Sequence, residues 1–134
     1  MRTEESNPAH WFLLGQERKE SADVLFAVRG GCYSAVELLQ EAVERYLKGY
    51  LIARGWKLER IHDLNRLLDE AARHEAGFRH FAPLAQSLTE QFWAQHYPGD
   101  DLSEIGSDYS TLSAQAGELI ALVLLEMPGA RENE

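Results

Sequence analysis

Cysteine, proline and long apolar runs are all scarce in this 134-residue chain, and each scarcity removes a class of protein. Cys32 is the single cysteine, so neither an internal disulfide nor a cysteine-built zinc site can form, and a reducing cytoplasm is the expected setting. Four prolines leave room for long helices. No apolar stretch reaches the roughly 18–20 residues needed to cross a bilayer, so no membrane association is expected. The opening MRTEESNPAHWFLLG sets acids before a very short apolar patch, which is not the pattern of a signal peptide. Positive charge is scarce too. Thirteen lysines and arginines face 22 acids, a net charge of −9, whereas broad nucleic-acid binding normally rests on a basic surface. The G-x-x-x-x-G-K-[ST] and G-x-G-x-x-G phosphate-binding fingerprints and the H-E-x-x-H zinc motif do not occur. Asp100, Asp101 and Glu104 read as an acidic surface loop, no serine–histidine triad is spelled out, and neither a metal nor a cofactor is expected.

The chain is organised around the stretch from Gly31 to Leu68. Cys32, Val36, Leu39, Val43, Tyr46, Leu47 and Tyr50 recur at steps of three and four, the period of a helix with one buried stripe. Such a narrow seam packs against several neighbours along its length. The other face carries Glu37, Glu41, Glu44, Arg45 and Lys48. Glu41 with Arg45, and Glu44 with Lys48, stand in the favourable i, i+4 order, each pair worth roughly 0.2–0.5 kcal/mol. Gly55 is placed to stop this helix, and Asp63, with Ile61 and Leu67 either side, to cap the next.

The remaining elements follow in order. A first helix is expected from Pro8, capped by Ser6 or Asn7 and broken at Arg29-Gly30-Gly31, with Trp11, Leu14, Ala22, Leu25 and Val28 on one face and residues 16–20 turned outward. The second runs from about Tyr33 to Arg54 and the third from Leu64 to about His74, with Gly77 ending it. A fourth spans about Phe81 to His96 on Phe81, Leu84, Leu88, Phe92 and Trp93, closed by Tyr97-Pro98-Gly99. After an acidic loop, Ser107 or Asp108 caps a last helix whose stripe is Leu112, Ala116, Leu119, Ile120 and Val123, ending at Pro128. The spacing therefore predicts a single all-α domain over residues 1–134, an up-and-down bundle of four to five helices with 1–7 and 128–134 frayed. The first and last helices have apolar faces wider than one subunit hides, and a homodimer answers that surplus.

The same residues carry a family resemblance. Cys32-Tyr33, Leu38-Leu39-Gln40-Glu41-Ala42, Tyr46-Leu47-Lys48-Gly49, His62-Asp63-Leu64 with Leu67-Leu68, and the later Tyr97-Pro98-Gly99 resemble the HEPN domain from roughly Trp11 to the last helix. The resemblance implies an HEPN-like helical fold, a homodimer, a nucleotide or RNA ligand, and association with a minimal nucleotidyltransferase in a toxin–antitoxin or two-component unit. It also implies an alternative, a metal-independent ribonuclease that uses an arginine and a later histidine with four to six residues between them. A helical adaptor without a ligand is the third reading.

Two stretches are candidates for chemistry. Arg73 and His80 have the ribonuclease spacing, with six residues between them. A histidine there would move the 2′-hydroxyl proton while an arginine fork stabilises charge on phosphate. The family's pair belongs near the start of the last helix, however, where this chain reads SDYSTLSAQAGELIALV and has neither residue; a solvated helix end is the simpler account of Arg73 and His80. The second stretch joins His62 and Asp63, at a helix N-terminus that favours anions, to Lys48, Lys57 and Arg60, an expected nucleotide-binding set. A capping aspartate beside a surface histidine explains the same letters. Residues 45–80 hold eight lysines and arginines against five acids, whereas residues 97–134 hold eight acids against Arg131 alone.

Overall fold

The computed structural model describes residues 4–94 and 108–127. Five α-helices account for most of them: α1 (Pro8–Arg29), α2 (Tyr33–Ala53), α3 (Leu64–Ala72), α4 (Ala82–Ala94) and α5 (Tyr109–Leu125), with a 3-10 turn at Ala76–Phe81 leading into α4. The all-α bundle expected from the spacing is the fold found. Local signals set most of the boundaries. Asn7 accepts a hydrogen bond from the Ala9 N–H ahead of Pro8, and the Asp63 carboxylate accepts from the Asn65 and Arg66 N–H groups to start α3. At the end of α2, Gly55 has φ +90°; its N–H donates to the Ile52 carbonyl and that of Trp56 to the Leu51 carbonyl, the paired bonds of a Schellman stop.

α2 is the central element. It packs on α1, α3, α4 and α5, and thirteen of its 21 residues are buried. Its widest interface is with α1, and two glycines make that interface close. A Cβ at Gly15 of α1 would lie 2.7 Å from the Tyr46 ring of α2, and one at Gly49 of α2 would lie 2.6 Å from the Phe12 ring of α1. Each helix thus gives up a side chain where the other inserts an aromatic, and the two rings stack at 5.5 Å. Residues 12 and 49, 15 and 46, and 18 and 41 face one another, so the pair is antiparallel. Leu39, Leu47, Tyr50 and Leu51 then meet Leu64, Leu67, Phe78, Leu84, Leu88, Leu119 and Val123 in one core.

α5 is tied to α1 by a polar cluster. Asp23 accepts hydrogen bonds from the Tyr109 hydroxyl (3.0 Å) and the Ser113 hydroxyl (2.7 Å), and from the Lys19 ammonium, which also reaches Ser113. Phe26 stacks on Tyr109 at 4.5 Å beside it. Burial pushes the Asp23 carboxyl up, but the bonds from Lys19, Ser113 and Tyr109 outweigh it and hold the group below the usual aspartate value; burial, with Asp23 alongside, pushes the Tyr109 phenol far up.

Several expectations need correction. Residues 16–20 do not all turn outward: Arg18 reaches Glu41 at 3.0 Å and Lys19 joins the Asp23 cluster, because long basic side chains lay their stems along apolar surface and bring their heads to a partner. Val28 stands 78% exposed instead of facing the core. α3 ends at Ala72, before Gly77, which sits inside the 3-10 turn, its N–H bonded to the Glu75 carboxylate. Asp108 occupies the N-cap position of α5 without a side-chain bond. Ahead of α1, the Trp11 indole donates to the Glu5 carbonyl, and Arg60 to the Glu5 carboxylate. The expected stop at Tyr97-Pro98-Gly99, the acidic loop with Asp100, Asp101 and Glu104, the Ser107 cap, Pro128 and the tail after it lie outside the described residues.

Glycine positions separate packing from propensity. Gly49→Ala should destabilise the fold by about 1–3 kcal/mol through overpacking against Phe12, although alanine is the better helix former. At Gly117 of α5 a Cβ meets nothing within 4 Å, and Gly117→Ala should stabilise by up to about 1 kcal/mol; urea denaturation of the two variants measures both signs. Because the Asp23 carboxyl is depressed on folding, its contribution is complete above the unfolded aspartate value near pH 4 and is lost as pH falls through the folded value. Asp23→Asn should accordingly flatten the acid limb of a pH–stability curve.

Candidate functional site

A groove of about 510 Å³ opens where α2, the start of α3 and the end of α4 come together. From α2 it takes Glu37, Gln40, Glu41, Glu44 and Arg45. These positions fall at steps of three and four, so one face of the central helix becomes a wall. The α2–α3 linker and the first turn of α3 supply His62, Asp63 and Asn65, and α4 supplies Thr89, Phe92 and Trp93. The two aromatic rings meet edge to face at 5.7 Å, and Trp93 remains 56% exposed at the rim.

The wall is rich in acceptors, some of them already engaged. Glu41 accepts from the Arg18 guanidinium, and its backbone carbonyl from Arg45. Glu44 is buried; its carboxylate is bonded by the Lys48 ammonium at 3.2 Å and lies 3.1 Å from His62 Nδ1. Asp63 spends one oxygen on the N-terminus of α3. Glu37 and Gln40 stand apart. No described group bonds the Glu37 carboxylate, and Gln40, only 8% exposed, has a buried Oε1 without a hydrogen-bond partner. A buried acceptor in that state carries a standing cost.

The residues expected to bind a ligand are distributed unevenly. His62 and Asp63 line the groove, with His62 largely exposed. Lys48, expected on the solvent face of α2, is 4% exposed; it sits between Glu44 and the Trp11 ring, whose centroid is 5.7 Å away, and does not line the groove. A central helix is packed on several sides, so polar letters that the period assigns to water are buried in pairs. Lys57 and Arg60 are exposed on the linker outside the groove, with Arg60 joined to Glu5 at 2.7 Å. Arg73 caps the end of α3 and pairs with Glu70, while His80 lies in the 3-10 turn edge-on to Phe81. Both are exposed, and no described hydrogen bond or ring contact joins them or links them to the groove.

Sequence reasoning did not single out Glu37, Gln40, Phe92 and Trp93 as site residues. Phe92 and Trp93 fall on the apolar face of the fourth helix, and no periodicity separates a rim tryptophan from a buried one. Gln40 carried the one available signal, a neutral amide among glutamates on a helix face beside the core stripe.

Lys48→Met leaves the buried Glu44 carboxylate with His62 alone and should cost on the order of 3 kcal/mol, whereas the double change with Glu44→Met should recover most of that loss. A double-mutant cycle by chemical denaturation reads the difference.

Among the described residues no helix is long and apolar enough to cross a membrane, and no group of three or more His, Cys, Asp or Glu side chains is placed to hold a metal ion. No curated protein and no solved structure matches the chain. A family model does, over residues 9–126, which takes in all but the first residue of α1, the whole of the other four helices, the 3-10 turn and every side chain of the groove. The chain belongs to the HEPN domain family.

Proposed function

We propose that this HEPN domain is a homodimeric nucleotide- or RNA-binding protein whose groove between α2, α3 and α4 takes the nucleoside part of its ligand. Membership of the family supports a nucleotide- or RNA-related role in general terms. The observation that carries the finer reading is the pairing of an aromatic rim with an acceptor-rich wall in a groove of about 510 Å³, within the range of small-molecule sites. Trp93 and Phe92 offer a stacking surface for a base. Carboxylates accept ribose hydroxyls well and phosphates badly, so the phosphate is turned to the mouth of the groove, towards His62 at its edge and Lys57 and Arg60 on the exposed linker. Asp63 keeps the α3 N-terminus in place, and Lys48 acts indirectly by holding Glu44.

The dimer reading draws on exposed apolar side chains. Leu13, Val24 and Val28 share a face of α1, and Leu124 and Leu125 stand exposed on α5. A minimal nucleotidyltransferase is the partner we propose, in a toxin–antitoxin or two-component unit. The excess of acids over residues 97–134 would suit a basic partner surface.

Three measurements test the reading. Trp93→Ala should weaken mononucleotide binding roughly tenfold or more by calorimetry, and raising the salt should weaken it only modestly, since few phosphate contacts are made. A Val24→Glu, Val28→Glu double variant should sediment as a monomer where the unaltered chain sediments as a dimer. Arg73→Ala and His80→Ala should leave nucleotide binding unchanged; metal-free RNA cleavage by the unaltered chain that disappears in these variants would put the ribonuclease reading in its place.

A further inference from the structure

The lining of the groove is negatively charged, and that charge bears on which base it takes. Glu37, Glu41, Glu44 and Asp63 line it, against Arg45 and His62. Arg18 and Lys48 bond Glu41 and Glu44 from outside the lining, so the four carboxylates meet three permanent cations. Only Arg45 of those cations faces the groove, and it is drawn to the Glu41 carbonyl and carboxylate. The carboxylates keep acceptor sites that these partners leave open. Gln40 supplies an independent sign that the wall receives a ligand. It lines the groove but is only 8% exposed, and no described hydrogen bond involves its side chain. Its Oε1 is sealed off, so what it turns to the groove is the amide NH2, a donor without an acceptor.

A ligand that answers the whole lining carries positive charge and an acceptor on one flat ring, lying against Phe92 and Trp93. An arginine or lysine head has the charge and no acceptor. The four ordinary RNA bases have acceptors and no charge, so they gain stacking but little from the carboxylates. Purines methylated on a ring nitrogen have both. In 7-methylguanine a fixed charge spreads through the ring system beside the 6-carbonyl, and in 1-methyladenine it does so beside unmethylated ring nitrogens. We infer that the groove selects nucleotides whose base bears a fixed positive charge, with Trp93 stacked on the ring and the carboxylates of α2 beside it. This rests on the nucleotide-binding reading and narrows it to one class of base.

Calorimetric titration with two series of 5′-monophosphates decides the matter, in slightly acidic buffer where 7-methylguanine keeps its N1 proton. One series is adenosine, 1-methyladenosine and N6-methyladenosine; the other is guanosine and 7-methylguanosine. The two methyladenosine compounds are isomers, and only the 1-methyl isomer is a cation, so added bulk is separated from added charge. The charged compounds should bind the unaltered chain roughly ten- to a hundredfold more tightly than their uncharged counterparts. Glu37→Gln, which keeps the shape and removes one charge at a half-buried position, should shrink that preference several-fold. A gain in one series alone supports the inference and identifies the purine. Equal binding within both series overturns it and leaves the nucleotide reading standing. If no mononucleotide binds, or if N-acetyl-arginine amide occupies the groove in their stead, both fail together. The comparison of nucleotides needs no variant, so loss of folding in Glu37→Gln leaves the decision intact.

Discussion

The close crossing of α1 and α2 is the constraint on which the rest of the molecule depends. Two aromatic rings fit only because Gly15 and Gly49 leave room for them on the opposite helix. The interlocked pair fixes how far α2 is rotated about its own axis. One side of α2 is then committed to α1, its Leu39–Leu51 stripe to the core, and the face bearing Glu37, Gln40 and Glu44 to the space beside α4. Sliding one helix along the other would drive a ring into backbone, and a small rotation would move the acceptor face out of register with Phe92 and Trp93. The site therefore inherits its geometry from a packing event on another side of the helix that carries it.

The buried Glu44–Lys48 pair works with that arrangement. A lysine and a glutamate four residues apart on an exposed helix contribute little, but these two are withdrawn from water, and each would be costly without the other. Lys48 is further placed over the Trp11 ring on α1. Through this single side chain the α1–α2 interface and the inner end of the groove are connected, and the Glu44 carboxylate is held where His62 meets it.

Much of the fold is legible in the letters, for physical reasons that can be named. Asn7, Asp63 and Gly55 mark helix boundaries because capping and left-handed stops are local chemistry, decided within a few residues. The core stripes of α2 and α5 are legible because burial there is one-sided over several turns. Legibility fails where tertiary context decides. Val28 and Trp93 have apolar side chains at helical spacing, yet they stand 78% and 56% exposed. Arg73 and His80 looked like one motif, but a 3-10 turn separates the end of α3 from α4, and turns of that kind leave little trace in hydrophobic period. The charged linker contributes only His62 and Asp63 to the groove, whereas its wall is α2 and its rim α4.

The position of Trp93 also makes the groove observable without a label. Of the chain's three indoles, those of Trp11 and Trp56 belong to half-buried residues, whereas Trp93 is 56% exposed. Its emission should therefore be the reddest and the most readily quenched by acrylamide. A ligand settling against it would shift the spectrum to the blue and shield it, so occupancy of the groove can be followed in the intrinsic light of the unmodified protein.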